Sequence, residues 1–170
     1  VIDKYARALA RQTKGAGDGY QKLGRHHSRG VVLPIAIGGS GMAGVQKLHV
    51  SRRNAGCSSL LPIDNSSNRK AWCALAGDTR EVPTVTLDTL LGWIGQPVEF
   101  LKVDAQGLDL AVVRSAPARL ASQVRSFAME VILDDCHGLY EGQPKCSTVL
   151  QETAALGFRP AANFSCVPRW

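Results

Sequence analysis

Near the middle of the chain stands Phe100-Leu101-Lys102-Val103-Asp104-Ala105-Gln106-Gly107-Leu108-Asp109-Leu110. The nearly continuous apolar run at 98–103 predicts a buried strand. Residues 104–107 predict a turn, because Asp and Gly favour turn conformations. A helix is then expected over 108–114. This order of strand, turn and helix is typical of an α/β fold.

The carboxyl end of this strand is the predicted functional site. In an open α/β sheet, ligands bind beyond the carboxyl ends of the strands, and Asp104 lies at such an end. Lys102 has the same parity as Asp104, so the two side chains share one face. Glu130 lies in the next predicted strand, 124–133. Two carboxylates at one edge could serve proton transfer, cation or metal binding, or recognition of a sulfonium cofactor.

Each of these residues also has a plainer interpretation. Lys102 and Asp104 can form a structural ion pair beside a turn that needs Gly107. Glu130 can cap a neighbouring helix or pair with an arginine. His137 follows the strand of Glu130 and is a candidate base, although a lone histidine in a loop commonly has no catalytic role.

The flanking sequence continues the alternation of strands and helices. A loop-rich insertion is expected at about 51–81, inside a single domain that spans 1–170. The other expected elements are strands at 31–37, around 46–50 and at 82–87, a helix at 89–94 with Asp88 as its N-cap, and a helix at 147–156 closed by Gly157. We therefore predict an α/β fold with a mainly parallel sheet.

A glycine-rich segment follows the first predicted strand. Gly39-Ser40-Gly41-Met42-Ala43-Gly44 has the spacing of a dinucleotide-binding loop. Such a loop must open a helix, whereas the residues after Gly44 alternate like a strand. The segment is therefore predicted to be a hairpin turn. A nucleophile elbow is also disfavoured, because Met42 stands where that motif requires glycine.

Composition excludes several classes of protein. The 170 residues are 45% hydrophobic, which argues against disorder, and no apolar run approaches the about 18 residues of a membrane span. The net charge of +6 could suit a nucleic acid, but the basic residues are scattered, so we predict no nucleic-acid partner.

The five cysteines indicate disulfides more than metal binding. None lies in a C-x-x-C motif, and no metal site is predicted. Cys57 and Cys73 flank a polar segment, and Cys136 and Cys146 flank a Gly/Pro loop, so these two pairs are expected. Cys166 is then left over. With two Asn-x-Ser acceptors, at 65–67 and 163–165, these pairs favour the secretory lumen or the extracellular space, with the cytoplasm as the alternative.

Four segments together carry a family resemblance. They match a "v-tLD-ll" stretch, a "lKiDvEG-E" stretch, a strand that ends in Glu and a terminal "l-GF". The chain resembles the FkbM-type methyltransferases over about 31–158, except that Gln106 and Asp109 stand where Glu is usual. The segments are Val82-Pro83-Thr84-Val85-Thr86-Leu87-Asp88-Thr89-Leu90-Leu91, Phe100-Leu101-Lys102-Val103-Asp104-Ala105-Gln106-Gly107, Phe127-Ala128-Met129-Glu130 and Leu156-Gly157-Phe158.

The resemblance implies a Rossmann-like class I fold with helices on both faces of the sheet. It implies S-adenosylmethionine as the cofactor and methylation of a hydroxyl on a carbohydrate or small metabolite. Ala36 and Ile37 match the region beside the adenine, and Asp104 is expected to orient cofactor or substrate. Glu130 and His137 are the other catalytic candidates. No oligomeric state is predicted.

The resemblance also implies an incomplete domain. The family's first two strands and its glycine-rich cofactor loop have no counterpart, and Val1-Ile2-Asp3-Lys4-Tyr5 resembles the helix that follows them. The alternative function is therefore a degenerate module that binds without catalysis. Without a central strand, the 98–103 strand would expose an apolar edge, so poor solubility or pairing with another chain is expected.

Overall fold

The first half of the described chain forms a mixed sheet. The computed structural model describes residues 33–51, 54–67, 73, 75–161, 164 and 166, and those from Ala36 onward belong to one compact unit. Its first strands are β1 (Ala36–Gly38), β2 (Gly44–Ser51) and β3 (Leu75–Thr86). The predicted positions 31 and 32, the acceptor Asn163 and the N-terminal helix lie outside the described residues.

β3 is the central strand of this sheet. It runs parallel to β1, with Ile37 opposite Val85, and antiparallel to β2, with Gln46 opposite Val82. The glycine-rich segment is therefore a turn but not the predicted hairpin, because β3 lies between β1 and β2. The Met42 N–H closes this turn on the Gly39 carbonyl at 3.1 Å.

The insertion is more ordered than its composition predicts. β3 begins at Leu75, well before the expected start at Val82, because its early residues pair with the end of β2. A short 3₁₀ turn, Ala55–Cys57, is capped by the Asn54 side chain, which accepts the Gly56 N–H at 3.1 Å. The segment that follows returns to β2 through a bridge between Ser59 and His49.

The helix α1 (Leu87–Ile94) follows β3 directly. Its N-cap is Thr86, whose hydroxyl accepts the Thr89 N–H at 3.2 Å, so the predicted cap at Asp88 is wrong. Asp88 lies instead in the first helical turn, where its negative charge interacts favourably with the helix dipole. Gly95 ends the helix in the left-handed conformation, at φ 59°.

The second half contributes a separate parallel pair of strands. β4 (Leu101–Val103) and β5 (Phe127–Met129) pair in register, with Lys102 opposite Ala128. Between them lie α2 (Asp109–Arg114) and α3 (Pro117–Gln123). Both strands are shorter than predicted, because the pairing is interrupted between the bridge at Val98 and Val124 and the start of β4.

The described strands thus form two sheets, one with three strands and one with two, and not a single mainly parallel sheet. Helices do pack on them. A core cluster of α1, β4, α2 and α3 side chains buries Leu87, Leu91, Val103, Val113 and Leu120. No described strand covers the outer edge of β4, so the expected effect of that edge on solubility stays a prediction.

The last helix and the disulfides complete the unit. α4 (Cys146–Ala155) ends just before Gly157, at φ 87°. Cys57 pairs with Cys73 as predicted, with 5.6 Å between their Cα atoms. Cys146 pairs with Cys166, not Cys136, because the chain returns beside Asp134, whose N–H reaches the Cys166 carbonyl at 3.4 Å. Cys136 is the free thiol.

Candidate functional site

The turn after β4 holds the Asp104 carboxylate by both oxygens. The Lys102 ammonium donates to Oδ2 at 2.7 Å, and the Gln106 side-chain amide donates to Oδ1 at 2.6 Å. The hydrogen bond from Lys102 lowers the pKa of Asp104, and the bond from Gln106 lowers it by a smaller amount. Partial burial acts in the opposite direction. Asp104 is therefore an oriented, ionised carboxylate at the carboxyl end of β4.

The backbone of this turn is unusual at two adjacent residues. Gln106 is the one described non-glycine residue with a positive φ, at 51°, and Gly107 follows at 96°. A Cβ on Gly107 would lie 2.7 Å from the Tyr140 ring. Glycine is therefore required there for two reasons, the conformation and the space.

Asp109 ties the turn together from the first residue of α2. Its buried carboxylate accepts the N–H groups of Ala105 at 3.2 Å and Gly107 at 3.1 Å. Burial raises the pKa of Asp109, while these bonds and one from the Glu130 backbone act in the opposite direction. Sequence reasoning assigned Asp109 no role. An acidic residue in the first turn of a helix after a glycine was the available signal.

Glu130 directly follows β5, so the parallel pairing of β4 and β5 brings it to the same edge as Asp104. Partial burial raises the pKa of Glu130, and the negative charges of Asp104 and Asp109 raise it further. Two carboxylates with pKa values shifted in opposite directions thus lie within electrostatic reach of each other.

The other predicted site residues, His137 and the β1 residues, have surroundings of their own. Among the described residues no hydrogen bond or ion pair joins His137 to Asp104 or Glu130, and its charge acts on Asp64. Ile37 packs against the core cluster. A Cβ on Gly39, just after β1, would lie 3.1 Å from the Ala111 side chain, so the end of β1 lies against α2.

An apolar cavity of about 860 Å³ runs beside β5. Met129 and Val131, the chain neighbours of Glu130, line one part of it, and α4 contributes Val149 and Leu150. Phe127 and Phe158, which also line it, meet edge to face with their ring centroids 4.8 Å apart. This volume is within the range of small-molecule sites.

The part of the chain that the structure describes contains neither a metal cluster nor a membrane-spanning helix. Within it, no three His, Cys, Asp or Glu side chains converge as a metal site would require. No helix described here is both long and apolar enough to cross a bilayer.

Comparison with known families identifies one domain. The Methyltransferase FkbM domain matches residues 21–160, which confirms the resemblance seen in the sequence. No curated protein and no solved structure matches the chain.

Proposed function

Because the chain belongs to the FkbM methyltransferase family, we propose that it transfers a methyl group from S-adenosylmethionine to a hydroxyl oxygen. The acceptor is a carbohydrate or another small hydroxylated metabolite. The observation that carries this proposal is the pair formed by Asp104 and Glu130 at the carboxyl ends of two parallel strands. Ligands of open α/β sheets bind at such an edge.

The residues at this edge fit a cationic cofactor. Bound S-adenosylmethionine would supply a methyl group that its sulfonium sulfur already activates. Asp104, ionised and oriented from both oxygens, would attract that positive charge. Ala36 and Ile37 would contribute an apolar strand end beside the adenine, and the close approach of Gly39 to Ala111 keeps that strand end next to α2.

Glu130 is the proposed general base. Glu130 would take the proton of the acceptor hydroxyl, whose oxygen would receive the methyl group that bound S-adenosylmethionine would supply with its thioether as the leaving group. Its raised pKa makes it a better proton acceptor than an ordinary carboxylate near neutral pH. The acceptor would bind at the strand-end edge next to Glu130, because Glu130 is not among the residues that line the cavity beside β5. His137 stays a third catalytic candidate.

The experiment combines binding and turnover. S-adenosylmethionine at about 100 times its dissociation constant should stabilise the chain by about 2.7 kcal/mol in thermal unfolding, whereas ATP should not. Label from the methyl group should then appear in a monosaccharide or polyol. Asp104→Asn and Glu130→Gln should reduce transfer, while Asp88→Asn, at the half-exposed start of α1, serves as the control.

Two outcomes would lead to different conclusions. Cofactor protection without transfer to any hydroxyl would favour the alternative, a methyltransferase-fold module that binds without catalysis. Full turnover by Asp104→Asn would remove that residue from the site.

The compartment is proposed on the cysteines. Two pairs at disulfide distance, Cys57–Cys73 and Cys146–Cys166, support the secretory lumen or the extracellular space over the cytoplasm. Thiol labelling of the protein from its native cells, before any reduction, tests this.

A further inference from the structure

Gln106 is held from three directions. The Tyr140 hydroxyl donates to its side-chain oxygen Oε1 at 2.9 Å, and the Ser59 hydroxyl donates to its backbone carbonyl at 2.7 Å. Its own amide nitrogen Nε2 donates to Asp104 Oδ1. Residues from the insertion and from the segment before α4 therefore meet at the turn that carries Asp104.

The Asp104 carboxylate fixes which way the Gln106 amide points, and the Tyr140 hydroxyl, which can donate or accept, completes this arrangement by donating to Oε1. With the phenol bonded to Oε1, the amide nitrogen faces Asp104, and a carboxylate can only accept. With the amide reversed, the Gln106 side-chain oxygen would face the Asp104 carboxylate, and two acceptors would repel each other. The left-handed backbone of Gln106, at φ 51°, is uncommon for a residue with a Cβ, and it needs such support from its surroundings.

Tyr140 is itself fixed by the insertion. It is 3% exposed and belongs to a second core cluster with Cys57, Ile63 and Cys73. Its backbone bridges to Ile63. Its ring covers Gly107, where a Cβ would lie 2.7 Å away. The disulfide-bonded insertion thus reaches the candidate site in two ways, directly through Ser59 and indirectly through the Tyr140 side chain that it packs against.

We propose that Tyr140 and Gln106 are positioning residues that fix the Asp104 carboxylate, and that Ser59 and the Cys57–Cys73 cluster hold them in place. This inference rests on the proposed function for its catalytic meaning, but the positioning itself is a property of the free protein. Asp104 also faces Lys102 on β4 and the Glu130 carboxylate after β5, and Asp109 acts on Glu130 in turn.

Glutamine at 106 matters chemically. A carboxylate at this position would place two negative groups at hydrogen-bonding distance and would raise the pKa of Asp104. The neutral amide instead supplies a donor, while Tyr140 satisfies its oxygen. Position 106 therefore contributes to the orientation of Asp104 and, after the larger effect of Lys102, to the lowering of its pKa.

The test measures Asp104 directly in the full chain. Side-chain ¹³C-labelled aspartate is titrated by NMR, and the Asp104 signal is identified by its loss in Asp104→Asn. Tyr140→Phe, which keeps the buried ring, and Gln106→Ala should both raise the pKa of Asp104, and Gln106→Glu should raise it most. Gln123→Ala is the matched control, since that amide binds the Leu91 and Gln96 carbonyls before β4.

An unchanged Asp104 titration in Tyr140→Phe and Gln106→Ala would overturn the proposal, whatever the activity. In active protein, Tyr140→Phe should lower kcat by about 10-fold with the KM for S-adenosylmethionine little changed, because a 1 Å misplacement is costly to catalysis. If wild-type protein transfers no methyl group, the proposed function fails while the titration still decides the positioning role.

Discussion

The Asp109 carboxylate accepts the Gly107 N–H at 3.1 Å, across the turn that carries Asp104. The same carboxylate accepts the Ala105 N–H, so one buried side chain satisfies two donors of a loop. Asp109→Asn replaces one acceptor oxygen with a donor that faces an N–H group. We expect the free energy of unfolding to fall by about 1–3 kcal/mol.

Urea unfolding followed by circular dichroism measures this effect. Asp88→Asn is the control, because Asp88 is half-exposed and its ion pair with Arg119, at 3.2 Å, is open to solvent. That variant should change the stability by less than about 1 kcal/mol. Equal losses in the two variants would mean that Asp109 does not hold the turn.

Gly107 and Gly41 allow conformation to be separated from packing. Both have positive φ, at 96° and 81°, but only a Cβ on Gly107 meets another group, the Tyr140 ring. Gly41→Ala should cost about 1–2 kcal/mol for the left-handed backbone alone. Gly107→Ala should cost clearly more in the same urea titration. A smaller loss at Gly107 would show that the ring moves away without penalty.

The positive charge of Lys102 should influence the pH at which kcat/KM falls on the acid side of the pH–rate profile. Its charge lowers the pKa of both Asp104 and Glu130, so Lys102→Met should raise both. A base must be deprotonated to act, so activity is lost as the pH falls through its pKa. The acid limb of kcat/KM against pH should therefore move to higher pH.

Lys47→Met, on the exposed surface of β2, provides the comparison for this profile. An acid limb at the same pH in Lys102→Met and wild type would exclude Glu130 and Asp104 as the titrating groups. Glu130→Gln should remove the contribution of Glu130 to this limb.

The disulfides give a chemical prediction. Alkylation of the unfolded, unreduced protein should label Cys136 and leave the four paired cysteines unlabelled. Replacing Cys57 and Cys73 together with alanine should cost about 3 kcal/mol, the value for a loop of about 15 residues. Cys136→Ser should change stability little. Labelling of Cys166 in place of Cys136 would contradict the pairing.

Local patterns in the sequence predicted local structure well. The order of β4, turn and α2 follows from an apolar run, a turn with Asp and Gly, and a helical segment, and all three signals lie within a few residues. The resemblance to the FkbM family rested on the same segment and was confirmed. The position of Asp104 beside Glu130 follows once the two strands are parallel.

The predictions that were wrong concerned contacts between residues that are distant in sequence. β3 extends back to Leu75 because β2 offers a partner, which composition does not reveal. Cys146 pairs with Cys166 because the chain folds back beside Asp134. The hydrogen bond from Tyr140 to Gln106 spans 34 positions, and the local sequence around either residue does not predict it.

The central position of β3 has a consequence for folding kinetics. Its pairing with β2 starts at Ser51 and Leu75, which lie closer together in the sequence than Ile37 and Val85, the residues that its pairing with β1 brings together. Such a distant closure costs conformational entropy before it gains contacts, and it slows folding. The Cys57–Cys73 bond shortens the path between β2 and β3. Oxidation should therefore accelerate assembly of this sheet, so that chains oxidised before folding reach the native state sooner than reduced ones.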